Sequence, residues 1–179
     1  MALAVGLPPA QAMQFSPVEL ADGRRAIEAS GQVVVGDFHR LLAFCDTVDK
    51  ARRLAGLIVD SPGGNVLEAE KMAGTIRDMG LPVAVAGGGR CASACFLLFA
   101  ASPSRLAGPG ARIGVHRASL AGEETAGSLG ATDGMAVQIA HFGVPAEIVA
   151  KMTRTAPGGV TWLTAADMAA MHVAVGSAR

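Results

Sequence analysis

Apolar and polar positions follow two different periods along this chain, and the two periods alternate. Residues 54–60, "LAGLIVD", form a continuous apolar run, which is typical of a strand covered on both faces of a sheet. In residues 66–79 the apolar positions recur at the spacing of one helical face. Those positions are Val66, Ala69, Met72, Ala73 and Ile76. The pattern therefore predicts a buried strand followed by an amphipathic helix.

The same alternation continues on both sides of this unit. Residues 31–36, "GQVVVG", are predicted as a short strand, and a helix is predicted to follow with Asp37 as its N-cap. Residues 117–134 are rich in Gly, Ser and Glu and are predicted to be an exposed loop. Near the C-terminus, Thr164 and Asp167 have the spacing of a capping box. The repeated order of strand and helix predicts an α/β fold.

Composition and charge narrow the function classes. The chain has 179 residues, of which 51% are hydrophobic and 17% charged, enough for one domain with a sizeable core. The 15 basic and 15 acidic residues balance, and no basic run interleaves with aromatics, so we expect no nucleic-acid partner. No stretch reaches the ~18 uninterrupted apolar residues of a membrane helix. We therefore expect no stable membrane span.

The first residues differ from the rest. Residues 1–13, "MALAVGLPPAQAM", are apolar and uncharged and contain an A-x-A pattern from Ala10 to Ala12. We interpret this segment as a signal-peptide remnant or a disordered N-terminus, with the α/β domain spanning residues 14–179. The first interpretation predicts a periplasmic or secreted protein, and the alternative is a cytoplasmic one.

Three cysteines, Cys45, Cys91 and Cys95, are too few for a disulfide framework. They also lack the second thiol pair or nearby histidine of a zinc site, so we expect no metal. Cys45 is predicted to be a small buried side chain. For Cys91 and Cys95 the sequence leaves open a disulfide or two packed thiols.

Two glycine-rich turns carry the candidate chemistry. In "SPGGN", Gly63 and Gly64 stand between a buried strand and a helix, where backbone N–H groups can face a developing negative charge. In "GGGRCASACFLLFA", Ser93 occupies the same place one strand–helix unit later. Each has a structural alternative: a plain turn for the glycines and a helix cap for the serine.

His116 ends the apolar strand of "PGARIGVH", where a lone histidine is more often structural or surface-exposed than catalytic. Taken in order, "SPGG", "ASAC" and "PGARIGVH" resemble the ClpP/crotonase superfamily, and more closely its ClpP-like serine peptidases. Within these, they look most like a group of exported bacterial ClpP-like proteins. The resemblance covers residues 57–116 strongly.

This resemblance implies a fold and a set of roles. The fold would be the superfamily's repeated ββα spiral in a single α/β domain. Ser93 would be the nucleophile and His116 the base, while the N–H groups of Gly64 and Ala94 would form the oxyanion hole. The expected partners are a peptide or protein substrate and further copies of the chain in a homo-oligomer. No cofactor is expected.

One departure from the family pattern limits the functional prediction. The third catalytic residue of ClpP-like enzymes would fall at about Val160, and no carboxylate is there. The third triad member is therefore unknown, and the leading hypothesis is a serine hydrolase with a Ser93–His116 dyad. One alternative is a catalytically degenerate protein that binds peptides or proteins. Another is a crotonase-like enzyme acting on acyl thioesters.

Overall fold

The chain folds into strands and helices in the alternating order that the sequence predicts. The computed structural model describes residues 12–49 and 54–176. The strands are β1 (Gln14–Glu19), β2 (Arg25–Ser30), β3 (Leu54–Asp60), β4 (Val83–Val85), β5 (Arg90–Ala92), β6 (Arg105–Ala107), β7 (Arg112–Val115), β8 (Thr161–Trp162) and β9 (Ala174–Val175). The helices are α1 (Asp37–Asp49), α2 (Val66–Asp78), α3 (Ala94–Ala101), α4 (Ala126–His141), α5 (Ala146–Arg154) and α6 (Ala165–Ala170).

Two sheets organise these elements. The larger has six strands in the order β1-β2-β3-β4-β6-β9, parallel except where β1 meets β2. The smaller has the order β5-β7-β8, with β5 and β7 parallel and β8 antiparallel to β7. The α/β fold class is therefore confirmed. Both candidate catalytic residues directly follow strands of the smaller sheet, Ser93 after β5 and His116 after β7.

The core lies under α2 and α3. Every residue of α3 is buried, since this apolar helix packs against α2 and the sheets. The predicted apolar face of α2 is confirmed at Ala69, Met72, Ala73 and Ile76, which are all fully buried. Burying large side chains such as Phe96 and Phe99 contributes about 1.5–3 kcal/mol each, so α3 is firmly anchored.

Two predictions near α1 are wrong. Residues 31–36 form isolated bridges instead of a strand, because Val33 pairs only with the turn around Gly64. Asp37 is the first residue of α1 instead of its N-cap, and its carboxylate accepts from the Val34 N–H. Glu68 of α2 accepts from the N–H groups of Gly36 and Phe38 instead. A tertiary contact thus satisfies donors at the start of α1.

The predicted loop at residues 117–134 is also wrong over its second half, where α4 begins at Ala126. The helix starts with a reciprocal capping box between Thr125 and Ser128. Its glycines lower helix propensity, but tertiary packing of Ser128, Thr132 and Met135 against the core overrides that preference.

The predicted export segment falls almost wholly outside the described residues, which begin at Ala12, so its assignment stays a prediction. Met13 is fully buried in the core. Among the helices of the described ranges, none is long and apolar enough to cross a membrane.

Candidate active site

Ser93 stands at a sharp turn between β5 and α3. Its backbone has φ 56° and ψ −129°, a positive φ that side-chain-bearing residues rarely adopt. Its side chain makes no helix-capping hydrogen bond, although Ser93 occupies the N-cap position. The capping alternative therefore does not account for the hydroxyl. Positive φ costs of order 1–3 kcal/mol, so the surrounding structure must hold this residue in place.

A disulfide brackets this turn. Cys91, in β5, is bonded to Cys95, in the first turn of α3, across a Cα–Cα distance of 5.3 Å. Ser93 is the middle residue of the five-residue ring of chain that the bond closes. Both cysteines are fully buried. The question that the sequence left open is thus answered by a bonded pair, and Cys45 remains buried and outside it.

The Gly63–Gly64 turn lies directly against Ser93. A Cβ atom built on Gly63 would lie 2.6 Å from the Ser93 Cβ and 2.9 Å from the Ala94 nitrogen. Gly63 also has φ 99°, which favours glycine. Only glycine therefore permits this close approach between two turns that are thirty residues apart in the sequence.

Hydrogen bonds distinguish the N–H groups of the two glycines. The Gly63 N–H donates to the Ser61 hydroxyl over 3.1 Å, so it is already used. On either side of Gly64, the Gly63 carbonyl accepts from Val33 and the Asn65 N–H donates to Val33. In this parallel β-bridge between Val33 and Gly64, the hydrogen bonds to Val33 come from the residues on either side of Gly64. The N–H of Gly64 itself therefore points away from Val33. Of the two glycine N–H groups, that of Gly64 is therefore the candidate for an oxyanion donor.

The register of the smaller sheet brings His116 to the same edge as Ser93. Ala92 pairs with Gly114, and the Ser93 N–H donates to the Gly114 carbonyl over 3.2 Å. Because β5 and β7 are parallel, the residues that follow them, Ser93 and His116, leave the sheet at the same end. His116 is partly buried, and its Nδ1 lies 2.7 Å from the Arg117 carbonyl oxygen.

Strand β8 of the smaller sheet determines which residue lies opposite His116. In the antiparallel pair, Gly114 is opposite Trp162 and Val115 is opposite Thr161. One more step of this register places Val160, where the family resemblance puts the third catalytic residue, opposite His116. A valine side chain accepts no hydrogen bond, so the position that would supply the acid is apolar. Within the described ranges, no carboxylate hydrogen-bonds or ion-pairs with His116.

The carboxylates near the site have other partners. Asp60 accepts from the Arg90 N–H over 2.9 Å, at the start of the strand that leads to Ser93. Asp167 forms its capping box with Thr164 and an ion pair with Lys151 at 2.5 Å. Burial raises the pKa of Asp167, but the hydrogen bonds from Lys151 and Thr164 outweigh it and hold the pKa below its usual value. Asp167 is thus committed to structure.

The lysines give no support to a Ser-Lys mechanism. Lys71 pairs with Glu68 at 3.0 Å and Lys151 with Asp167, while Lys50 lies outside the described residues. Nor do the described residues contain a group of three or more His, Cys, Asp or Glu side chains placed to hold a metal.

A cavity of about 530 Å³ opens beside Gly64. Its walls come from residues 32–35, from the turn at residues 64–67 and from the segment between Ala118 and Ala131. Among the described residues, those that line it carry no charged side chain. Three large apolar side chains at its walls are exposed to solvent: Val35, Leu67 and Leu120. The cavity can therefore receive an uncharged chain next to the candidate oxyanion donor.

Comparisons with known proteins bear on the family and the fold of this chain. The sequence profile of the family described as Clp protease matches residues 24–156, which is most of the chain. The chain belongs to the Clp protease family. Family membership and fold support a peptidase of the serine hydrolase class. No curated protein matches the sequence.

Solved structures show the same fold. ClpP1 from Listeria monocytogenes superposes with a TM-score of 0.65 at 18% identity, over 86% of this chain and 92% of the other. A membrane-bound stomatin-specific protease, 1510-N, studied as a mutant, gives a TM-score of 0.65 at 18% identity, covering 86% and 78%. The ClpP catalytic domain from Plasmodium falciparum gives 0.60 at 14% identity, covering 83% of each chain. These likenesses establish the ClpP/crotonase-like fold.

Proposed function

We propose that this protein is a serine peptidase that works through a Ser93–His116 dyad. The observation that carries the proposal is the backbone of Ser93, a non-glycine residue at φ 56° whose side chain does not cap its helix. Such a conformation at a strand–helix turn presents a hydroxyl outward, as a nucleophile requires. The disulfide, the Gly63 contact and the hydrogen bond to Gly114 all fix it there.

The reaction would follow the chemistry of acyl transfer. The Ser93 Oγ attacks the substrate carbonyl carbon while the His116 Nε2 accepts its proton. The N–H groups of Gly64 and Ala94 stabilise the oxyanion, since Ala94 is the first residue of α3 and its N–H has no partner within the helix. His116 then protonates the leaving amine, and an activated water hydrolyses the acyl-enzyme.

The cavity beside Gly64 supports a peptide substrate. It is adjacent to the proposed oxyanion hole, and its uncharged walls favour an uncharged segment of chain. Family resemblance also implies a homo-oligomer. Leu129 and Val137, on α4, are exposed apolar side chains compatible with a subunit contact, and light scattering of the purified protein tests this.

Labelling with a fluorophosphonate probe tests the dyad. We expect the wild type to be labelled, and Ser93→Ala and His116→Ala to lose labelling. Ser16→Ala and His141→Ala are matched controls, because both residues are exposed and lie outside the site. Labelling that persists in Ser93→Ala would remove Ser93 from the nucleophile's role.

The apolar residue at Val160 favours a second candidate, a degenerate peptidase fold that binds peptides or proteins without cleaving them. This alternative predicts no labelling of the wild type and saturable binding of an uncharged peptide. The crotonase-like alternative predicts binding of a coenzyme A thioester, which calorimetry measures directly.

A further inference from the structure

The proposed dyad lacks a carboxylate, so the orientation of His116 needs another source. The single hydrogen-bond contact of its ring within the described residues is between Nδ1 and the Arg117 carbonyl oxygen, at 2.7 Å. A carbonyl oxygen only accepts, so the contact is a hydrogen bond when Nδ1 carries the proton. The Nε2 lone pair is then left for the Ser93 proton, which is the tautomer that a catalytic acid normally secures.

The peptide group between Arg117 and Ala118, whose carbonyl oxygen contacts His116, is also held through its N–H. The Arg117 carbonyl and the Ala118 N–H belong to one planar unit, so fixing the N–H also fixes the direction of the carbonyl. The Ala118 N–H donates to the Thr132 hydroxyl over 2.9 Å. Thr132 is buried on α4, and its hydroxyl donates in turn to the Ser128 carbonyl over 3.0 Å. The hydroxyl therefore has a defined orientation.

The side chain and the N–H of Arg117 add three further anchors. Its guanidinium binds both carboxylate oxygens of Glu124, at 2.7 and 2.8 Å, and the Thr153 carbonyl at 3.2 Å. Its N–H donates to the Thr155 carbonyl over 2.9 Å. The hydrogen bond between the two side chains raises the pKa of Arg117 and lowers that of Glu124, so both stay charged at neutral pH.

We propose that the Arg117–Ala118 peptide group takes the orienting role of the missing acid, with Thr132 and the Arg117–Glu124 ion pair as its positioning residues. This inference rests on the proposed peptidase function. A peptide dipole orients the imidazole but stabilises the imidazolium less than a carboxylate does, so the site is a weaker version of a triad.

Thr132→Val is the decisive variant, because it keeps the shape of the side chain and removes the hydroxyl. We expect its fluorophosphonate labelling rate to fall about tenfold, the usual order of effect when one buried hydrogen bond is lost. Thr132→Ser keeps the hydroxyl and should restore most of the rate. Thr75→Val is the matched control, since Thr75 also bonds the carbonyl four residues before it but lies on α2.

Nitrogen-15 spectra of the histidine rings give a readout that a purely structural role would not move. The His116 signal is identified by its absence in His116→Asn. We expect the Nδ1–H tautomer in the wild type and a shift toward Nε2–H in Thr132→Val, while thermal unfolding shows both proteins folded. Glu124→Gln, at a partly exposed site, should shift the tautomer in the same direction with a smaller loss of rate.

The outcomes separate this inference from the proposed function. Absence of labelling in the wild type overturns the peptidase, while the spectra still decide whether Thr132 orients His116. An Nε2–H tautomer in the wild type overturns the inference, and so does a Thr132→Val protein with unchanged tautomer and rate. Thr132→Ser labelled as slowly as Thr132→Val would also overturn the inference, because restoring the hydroxyl should restore the rate.

Discussion

The two halves of the candidate site are held in very different ways. The turn that carries Ser93 is fixed by a disulfide, by a glycine contact and by a hydrogen bond to Gly114 within the same sheet. His116 is held by one hydrogen bond to the Arg117–Ala118 peptide group, which depends on contacts with α4 and α5. The candidate nucleophile is thus held by a covalent bond as well as by tertiary contacts, while the candidate base depends on hydrogen bonds to two helices.

The difference matters because the proposed reaction needs the Ser93 hydroxyl and the His116 ring correctly placed relative to each other. A constrained nucleophile gains little if its base can rotate away, and a displaced reacting atom can cost about 100-fold in rate. We therefore expect the largest loss of labelling from a substitution that displaces the Ser93 turn, and smaller changes in rate from substitutions around His116.

Among the changes that test this comparison, Gly63→Ala should have the largest effect on the labelling rate. The added methyl would lie 2.6 Å from both the Ala92 carbonyl oxygen and the Ser93 Cβ, so the nucleophile turn must move. We expect the fluorophosphonate labelling rate to fall by about 100-fold or more. Gly88→Ala is the control, because Gly88 also has a positive φ but a Cβ there meets nothing within 4 Å. Labelling of Gly63→Ala at the wild-type rate would show that the two turns need not touch.

Removing the disulfide should have the next largest effect. The Cys91→Ala, Cys95→Ala double variant frees the turn, and we expect about a tenfold slower labelling rate together with about 2 kcal/mol lower stability. Cys45→Ala serves as the control, since it removes a buried cysteine that takes no part in the bond. Unchanged labelling alongside lower stability would mean that the disulfide stabilises the fold and does not position Ser93.

A carboxylate at position 160 should improve the positioning of His116 and stabilise its imidazolium form. Val160 lies opposite His116 in the continued register and is partly exposed, so Val160→Asp can be accommodated. We expect labelling to accelerate by roughly severalfold, because a carboxylate stabilises the imidazolium as a peptide group does not. Val160→Asn separates charge from hydrogen bonding. Asp167→Asn should leave the rate unchanged, and a loss there would make Asp167 the missing acid.

Local signals explain why the strands and helices around Ser93 were predicted well. A buried strand, two glycine turns and an apolar helix each leave a mark in adjacent residues, and β3, α2 and α3 were all predicted from such marks. The His116 half was predicted less completely. Residues 117–134 have the composition of a loop, yet α4 begins at Ala126 because Ser128, Thr132 and Met135 pack against the core.

The sequence by itself determined the α/β class, the family resemblance and the order of the candidate residues Gly64, Ser93, Ala94 and His116. The family resemblance also implies that the third catalytic residue would fall at about Val160, and this stays a prediction. The tertiary structure decided which groups meet: the Cys91–Cys95 bond, the contact of Gly63 with Ser93, and the bond from Ala118 to Thr132. The physical reason is that periodicity, capping and turn preferences are properties of neighbouring residues. The partner of a buried donor is chosen only when distant segments pack.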